Sequence, residues 1–108
     1  MKPSGFVVIL VTASGRGEAE KIAAALLEGR HAACVNIVPS VVSRFWWKGK
    51  IDSADEVLLI IKTRQTAVSG VITTVKSNHT YTVPEIIVLP IDGGSAEYLD
   101  WIAGEVPE

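Results

Sequence analysis

The sequence has only one cysteine, Cys34, and two histidines among its 108 residues. A single cysteine cannot form an internal disulfide or a paired CxxC metal site. Sparse cysteine is typical of proteins that stay in a reducing compartment. We therefore expect a cytoplasmic protein without a disulfide framework.

The chain also lacks an excess of either charge and any long apolar run. It has 10 basic and 12 acidic residues, which give a net charge of −2 at pH 7. A small negative net charge produces no electrostatic field that would attract nucleic acid or an anionic membrane surface. The apolar run at 6–11 is shorter than the ~7–15 residues of a signal-peptide core, and no segment approaches the ~20 needed to span a bilayer. The sequence thus predicts no nucleic-acid partner and no membrane partner.

Apolar residues are plentiful instead, at 48% of the chain with a mean hydropathy of +0.34. The length predicts one domain over residues 1–108, and a domain of this size buries only about two-thirds of the surface of its unfolded chain. Some apolar surface is then left uncovered. We expect oligomerisation to cover it.

The hydropathy pattern predicts an alternation of strands and helices. Continuous apolar or alternating runs predict strands at 6–12, 31–38, 41–50, 56–63 and 85–91. A turn at Pro39-Ser40 is expected to join two of them as a hairpin, and Pro90 favours a sheet edge for the last. Helical spacing predicts a first helix capped by Ser14 and closed by Gly29, a second over 66–78, and a short third capped by Ser95.

The order β-α-β-β-α-β followed by a helix is that of an α+β, ferredoxin-like sandwich. Right-handed crossovers place both main helices on one face of a four-stranded antiparallel sheet. The core motif leaves the other face bare. We expect the last helix or a neighbouring subunit to cover Trp46, Trp47 and the strands beside them.

No group of residues has the pattern of a catalytic site. Cys34 lies within a predicted strand and has no general base beside it, which favours a small buried cysteine over a nucleophile. The turn at 12–17 lacks the third glycine of a dinucleotide fingerprint, because position 20 is glutamate. The central strands carry only Phe6 as an aromatic, unlike RNA-binding sheets. We predict that the protein is not an enzyme.

His79 has two interpretations at this point. An imidazole together with a carboxylate suits a divalent cation such as Cu²⁺ or Zn²⁺. A histidine at a helix C-terminus is also typical where it interacts with the last carbonyls and the helix dipole. Residue chemistry leaves both interpretations open.

Five segments occur in an order that resembles a known family. They are AACVNIVP at 32–39, SRFWWKGKI at 43–51, EVLLIIKT at 56–63, HTYTVPEIIVLPI at 79–91 and YLDWI at 98–102. Together they resemble the CutA1 divalent-cation tolerance proteins over about 6–102. The resemblance implies a cytoplasmic homotrimer of ferredoxin-like subunits, similar in shape to the PII signalling proteins, in which the long hairpin and edge strands pair between subunits.

The same resemblance implies a non-enzymatic protein of divalent-metal tolerance, linked to copper and without an organic cofactor. The family's proposed metal ligands correspond to Glu56 and His79, with Cu²⁺ or another divalent cation weakly bound. The third ligand, a cysteine, corresponds to Val11 here and cannot coordinate a metal. Phe45 also departs from the tyrosine usual in the family.

A cleft between subunits is the other site that the resemblance implies. By analogy with PII proteins, we expect Trp47, Lys50, Lys62 and Tyr81 near it, together with Glu56 and His79. Such a cleft would suit a small anionic metabolite in a signalling module. A structural trimer that anchors another protein is a third interpretation.

Overall fold

A computed structural model describes residues 4–108 of the chain, in four strands and three α-helices. The strands are β1 (Phe6–Ala13), β2 (Cys34–Trp47), β3 (Lys50–Arg64) and β4 (Ile86–Pro90). The helices are α1 (Arg16–Glu28), α2 (Val68–Asn78) and α3 (Ala96–Glu105), and a 3₁₀ turn at Gln65–Ala67 leads into α2. None of these helices is long and apolar enough to cross a membrane.

The four strands form one antiparallel sheet in the order β2-β3-β1-β4. Alternate residues of β1 and β3 point to one face, where α1 and α2 both pack. The fully buried side chains of this core include Ile9, Val11, Ile22, Leu26, Leu59, Ile61, Val71 and Val75. The predicted α+β, ferredoxin-like arrangement is therefore confirmed, and Pro90 does lie in an edge strand.

The predicted hairpin turn at Pro39-Ser40 is wrong. Strand β2 runs on through both residues, and the pairing shifts between Val38, opposite Leu58, and Val41, opposite Glu56. This is a bulge. It is tolerated because β2 is an edge strand, where a proline without an N–H need not interrupt a ladder of hydrogen bonds.

The true turn lies at Lys48 and Gly49, which link Trp47 to Lys50. Both central residues have positive φ, 51° and 78°, as a two-residue type I′ hairpin turn requires. The hairpin is consequently one long β2–β3 ribbon. Its distal half extends past β1, whose pairing with β3 stops at Val57.

The predicted helix ends are partly right. Ser95 caps α3 by accepting a hydrogen bond from the Tyr98 N–H at 3.4 Å, and Gly29 is the C-cap of α1. Gly15 rather than Ser14 is the N-cap of α1. The Ser14 hydroxyl instead donates to Glu18, the acidic residue of the first turn.

Helix α3 covers only part of the face opposite α1 and α2. It is held there by Arg64, whose guanidinium donates to the carbonyls of Ala103 and Val106 at 3.0 and 3.1 Å. Large apolar side chains stay exposed on the ribbon, β4 and α3 in the single chain. They include Val42, Trp46, Trp47, Ile51, Ile87, Leu89 and Trp101.

Candidate functional site

A cleft of about 670 Å³ opens between the β2–β3 ribbon and the loop that follows α2. Strand β1 contributes Thr12, the last but one residue of the strand. The ribbon contributes Phe45, Trp47, Asp52 and Glu56, and the loop contributes residues 80–83 and 85. The ribbon residues share one face because Phe45 pairs with Asp52 and alternate strand positions point the same way.

Glu56 is the most deeply placed acid of this cleft. The residue is only 8% exposed, and its Oε2 accepts a hydrogen bond from the Tyr81 hydroxyl at 3.0 Å. Glu56 takes part in none of the ion pairs formed within residues 4–108. Burial, the Glu56 hydrogen bond and the nearby carboxylate charges raise the pKa of Tyr81 above its usual value, so the tyrosine stays a neutral donor.

His79 ends α2 and turns its ring inward, where the side chain is fully buried. Its Nε2 lies 2.8 Å from the Thr12 carbonyl, and its Nδ1 accepts the Tyr81 N–H at 3.0 Å. These partners assign the neutral ring with its proton on Nε2. The imidazole thus ties the loop to the end of β1, and its centroid lies 4.8 Å from that of the Tyr81 ring.

Glu18, on α1, is a further buried acid beside this network. Its carboxylate accepts from the Thr80 hydroxyl at 2.7 Å and from the Thr80 and Ser14 N–H groups at 3.2 Å each. It also lies 3.3 Å from His79 Nδ1. Burial raises the pKa of Glu18, but the Thr80 and Ser14 hydrogen bonds and the electrostatic effect of the His79 ring outweigh it, so the net pKa is lowered.

These residues do not form a ready-made metal centre. Both ring nitrogens of His79 already have protein partners, and Val11 lies fully buried in the core. Within residues 4–108, no three side chains of histidine, cysteine, aspartate or glutamate are placed to share one ion. The two predicted metal ligands do different things in the structure: Glu56 lines the cleft, whereas His79 holds the loop behind it.

The predicted cleft residues are only partly brought together. Trp47, Glu56 and Tyr81 line the cleft, whereas Lys50 lies next to the hairpin turn in a second, smaller depression. Lys62 is elsewhere on the sheet, with its Nζ 3.7 Å from Cys34 Sγ. Cys34 therefore does have a charged neighbour, contrary to the sequence-based expectation. It pairs with Lys62 across β2 and β3, a register that the sequence alone did not reveal.

Several lining residues were missed from the sequence. Arg44, Asp52 and Glu85 are charged and line the cleft; Arg44 and Glu85 belong to segments that carry the family resemblance, but the sequence did not indicate that they face the site. Together with Glu56, these residues line the cleft with three carboxylates and one guanidinium group. The alternation of the ribbon would have identified Asp52 if the turn had been placed correctly at Lys48-Gly49.

The chain matches a family model described as CutA1 divalent ion tolerance protein over residues 7–105. The divalent-cation tolerance protein CutA of Archaeoglobus fulgidus is 50% identical over 94 residues, covering 87% of this chain and 91% of that protein. The protein of the same name from Thermus thermophilus is 47% identical over 95 residues, covering 88% and 92%. A rice relative named protein CutA 1, chloroplastic, is 42% identical, and the chain spans 58% of its length.

Solved structures agree with these sequence matches. CutA1 from Oryza sativa superposes with a TM-score of 0.94 at 40% identity, covering 98% of this chain and 97% of that one. The Thermus thermophilus protein gives a TM-score of 0.92 at 44% identity, covering 94% and 99%. The resemblance read from the five sequence segments is confirmed, and the chain belongs to the CutA1 divalent ion tolerance protein family.

Proposed function

We propose that the protein acts in divalent-cation tolerance as a non-enzymatic homotrimer that binds divalent cations such as Cu²⁺ weakly. The observation that carries the proposal is the match over residues 7–105 to a family described by divalent ion tolerance. The acidic cleft supports it, because carboxylate oxygens are ligands that divalent cations accept. We also propose a cytoplasmic location, which fractionation of the native cell would test.

Glu56 is the first cation contact in this proposal, since it lines the cleft and has no protein cation paired with it within the described residues. His79 is the second. It can coordinate a metal only if Nδ1 gives up the Tyr81 N–H, because that hydrogen bond uses the ring's lone pair. Without the cysteine that Val11 replaces, no soft ligand favours Cu⁺. Weak binding of Cu²⁺ follows from this donor set.

Calorimetric titration with Cu²⁺ tests the proposed ligands. We expect Glu56→Gln to weaken Cu²⁺ binding by about tenfold or more, because it removes the charged oxygen donor. Asp55→Asn is the matched control, because Asp55 is the exposed neighbour on the opposite face of the ribbon. If His79→Ala titrates like the parent protein, His79 is not a ligand. Identical titrations for all three variants would refute the site.

The trimer is supported by the distribution of apolar side chains. A contiguous apolar surface larger than a few hundred Å² on a monomer usually marks an interaction site. The outer edges of β2 and β4 are also unpaired, since these strands end the sheet, and such edges favour pairing with another chain. Mass measurement in solution should give three times 11.6 kDa. A monomer at micromolar concentration would contradict the proposal.

An anionic metabolite is less favoured as the ligand of this cleft. The two lysines expected to hold it, Lys50 and Lys62, do not line the cleft, and three carboxylates do. A thermal-shift screen with nucleotides and organic acids should therefore give no response, and a stabilising anion would revive the PII-like signalling alternative. Pull-down from the native cell would test the role of a trimer that anchors another protein.

A further inference from the structure

The charge of Glu56 lacks a counterion within the described part of the chain. A buried carboxylate is costly unless an opposite charge or several hydrogen bonds compensate it. Here Tyr81 supplies a single hydroxyl donor, and Arg44, although it lines the same cleft, forms no ion pair with Glu56. The cleft therefore presents a carboxylate without a cationic partner, and its free lone pairs can accept a hydrogen bond from a positively charged occupant.

Three aromatic side chains share the cleft with that carboxylate: Tyr81 contacts Glu56 directly, whereas Phe45 and Trp47 lie further along the ribbon, opposite Asp52 and Lys50. Phe45, Trp47 and Tyr81 line the cleft from both the ribbon and the loop. Aromatic faces attract cations, and desolvated clusters of them are the usual way in which proteins bind alkylammonium groups. A bare metal ion gains little from such walls, since it needs several oxygen, nitrogen or sulfur ligands at short range.

The size of the cleft distinguishes the occupants further. About 670 Å³ is within the range of small-molecule sites and is far more than one ion fills. Asp52 and Glu85 add two more carboxylates to the lining. An occupant with a positive nitrogen and an apolar body satisfies the carboxylates and the aromatic walls at once, whereas an anion satisfies neither.

We propose that this cleft binds a small organic cation, an alkylammonium compound whose nitrogen pairs with Glu56 and whose apolar part contacts Trp47, Phe45 and Tyr81. The site shares Glu56 with the proposed metal contact but does not use His79. It assigns to this protein a ligand class opposite in charge to the anionic metabolite considered for the PII-like alternative. The loop bearing Tyr81 is already held in place by His79, so the aromatic wall is present before the ligand arrives.

Titration of the whole assembled protein with n-butylammonium chloride tests this assignment, with 1-butanol as the neutral analogue of the same shape. We expect saturable binding of the ammonium compound by calorimetry, at least about tenfold tighter than the alcohol, because a hydrogen bond to a charged group is stronger than a neutral one. Amide signals of residues 80–83 should shift as the compound is added. Equal affinity for the two compounds, or no saturable binding, would overturn the proposal.

Two variants and two controls locate the site. Glu56→Gln keeps an acceptor for the Tyr81 hydroxyl but removes the charge, and should weaken n-butylammonium binding by about tenfold or more. Trp47→Leu should weaken it several-fold, and it keeps the test available if the Glu56 variant does not fold. Asp55→Asn, on the opposite face of the ribbon, and Leu27→Ala, on α1, alter residues that do not line the cleft and should leave affinity within about twofold. Unchanged binding in both site variants would place the ligand elsewhere.

A separate titration with Cu²⁺ distinguishes this inference from the proposed function. Cu²⁺ and n-butylammonium are titrated against the same protein preparations. Binding of Cu²⁺ without the ammonium compound would overturn this inference and leave the proposed function standing. Binding of the ammonium compound without binding of Cu²⁺ would support this inference and overturn the proposed function.

Discussion

Glu18 joins three segments of the chain that are distant in sequence. The carboxylate accepts hydrogen bonds from Ser14 before α1 and from Thr80 after α2, and it lies beside His79. The loop that supplies Tyr81 to the cleft is therefore anchored by an acid on a helix that does not itself line the cleft. Protonation of Glu18 removes the negative charge that strengthens the hydrogen bonds from Ser14 and Thr80.

The folded state should lose stability at acid pH partly through this residue. Burial alone would raise the pKa of Glu18, but the hydrogen bonds from Thr80 and Ser14 and the electrostatic effect of His79 outweigh it, so the pKa is lowered from its ordinary value of 4.5. In the unfolded chain the group takes up its proton near 4.5, before the folded protein does. The contribution to stability is thus fully present above 4.5 and is lost as pH falls through the lower, folded-state pKa.

Urea unfolding measured from about pH 7 to about pH 3 checks this dependence in the parent protein and in Glu18→Gln. The variant should be less stable at neutral pH, and its free energy of unfolding should fall less steeply below 4.5. Glu20→Gln serves as the control, since its pair with Arg16 is exposed and contributes little. Parallel curves for the parent and the Glu18 variant would show that Glu18 has the same pKa in both states.

Side chains near the cleft could be predicted from the sequence only where the family pattern identified them. Glu56, Tyr81 and Trp47 were named in this way. Glu18 and the Cys34–Lys62 contact were missed, because their partners are 62 and 28 residues away along the chain. Such contacts depend on helix docking and strand register, which local hydropathy does not specify.

At the level of elements, the order of strands and helices followed from hydropathy, but the hairpin did not. Because proline is common in turns, the sequence predicts the hairpin turn at Pro39-Ser40, whereas the turn lies at Lys48-Gly49. An edge strand accepts the proline at a bulge.

The helix over 66–78 was predicted against the poor helix propensity of its valines and threonines, and α2 does form there. Its buried face, with Val71 and Val75 fully enclosed, outweighs the propensity.

The crossing of α1 and α2 leads to a prediction about glycine. A Cβ at Gly70 would lie 2.5 Å from His31 Nδ1, and the opposite side of that ring faces Gly29, where a Cβ would lie 2.7 Å from Cδ2. The ring is held between the two glycines and cannot easily move away. We expect Gly70→Ala to destabilise the protein by about 1–3 kcal/mol through overpacking, although alanine is the better helix former.

Gly104 provides the matched control for this change. It is also helical, as the last but one residue of α3, but a Cβ there meets nothing within 4 Å. Gly104→Ala should therefore stabilise the protein by roughly 0.5–1 kcal/mol through helix propensity alone. Urea unfolding of the two variants measures both effects. A Gly70 variant as stable as the Gly104 variant would mean that the His31 ring moves aside without cost.

On the scale of the whole molecule, the two faces of the sheet differ in how they are covered. One face is closed by α1 and α2 over a continuous core. The other has only α3 at one end, and the distal ribbon projects beyond the sheet with Trp46 73% exposed. So large an apolar area is difficult to reconcile with an isolated monomer. The surplus hydrophobicity in the composition and these uncovered surfaces are consistent with the same assembly.

Charge placed on the uncovered surfaces should separate the subunits of the proposed trimer. On a free surface, Trp46→Glu or Ile87→Glu would change stability by no more than about 0.5 kcal/mol. Buried between copies, each carboxylate would lose its hydration without a partner, so the assembly should dissociate. We expect sedimentation to show a mass below three times 11.6 kDa for both variants, and thermal unfolding to depend less on protein concentration than in the parent protein, because a separated subunit unfolds without a dissociation step. Leu27→Glu makes a similar change on a partly exposed position of α1 and should leave the trimer intact. If all three variants keep the parent mass, the ribbon and β4 do not form the subunit contacts, and another surface must.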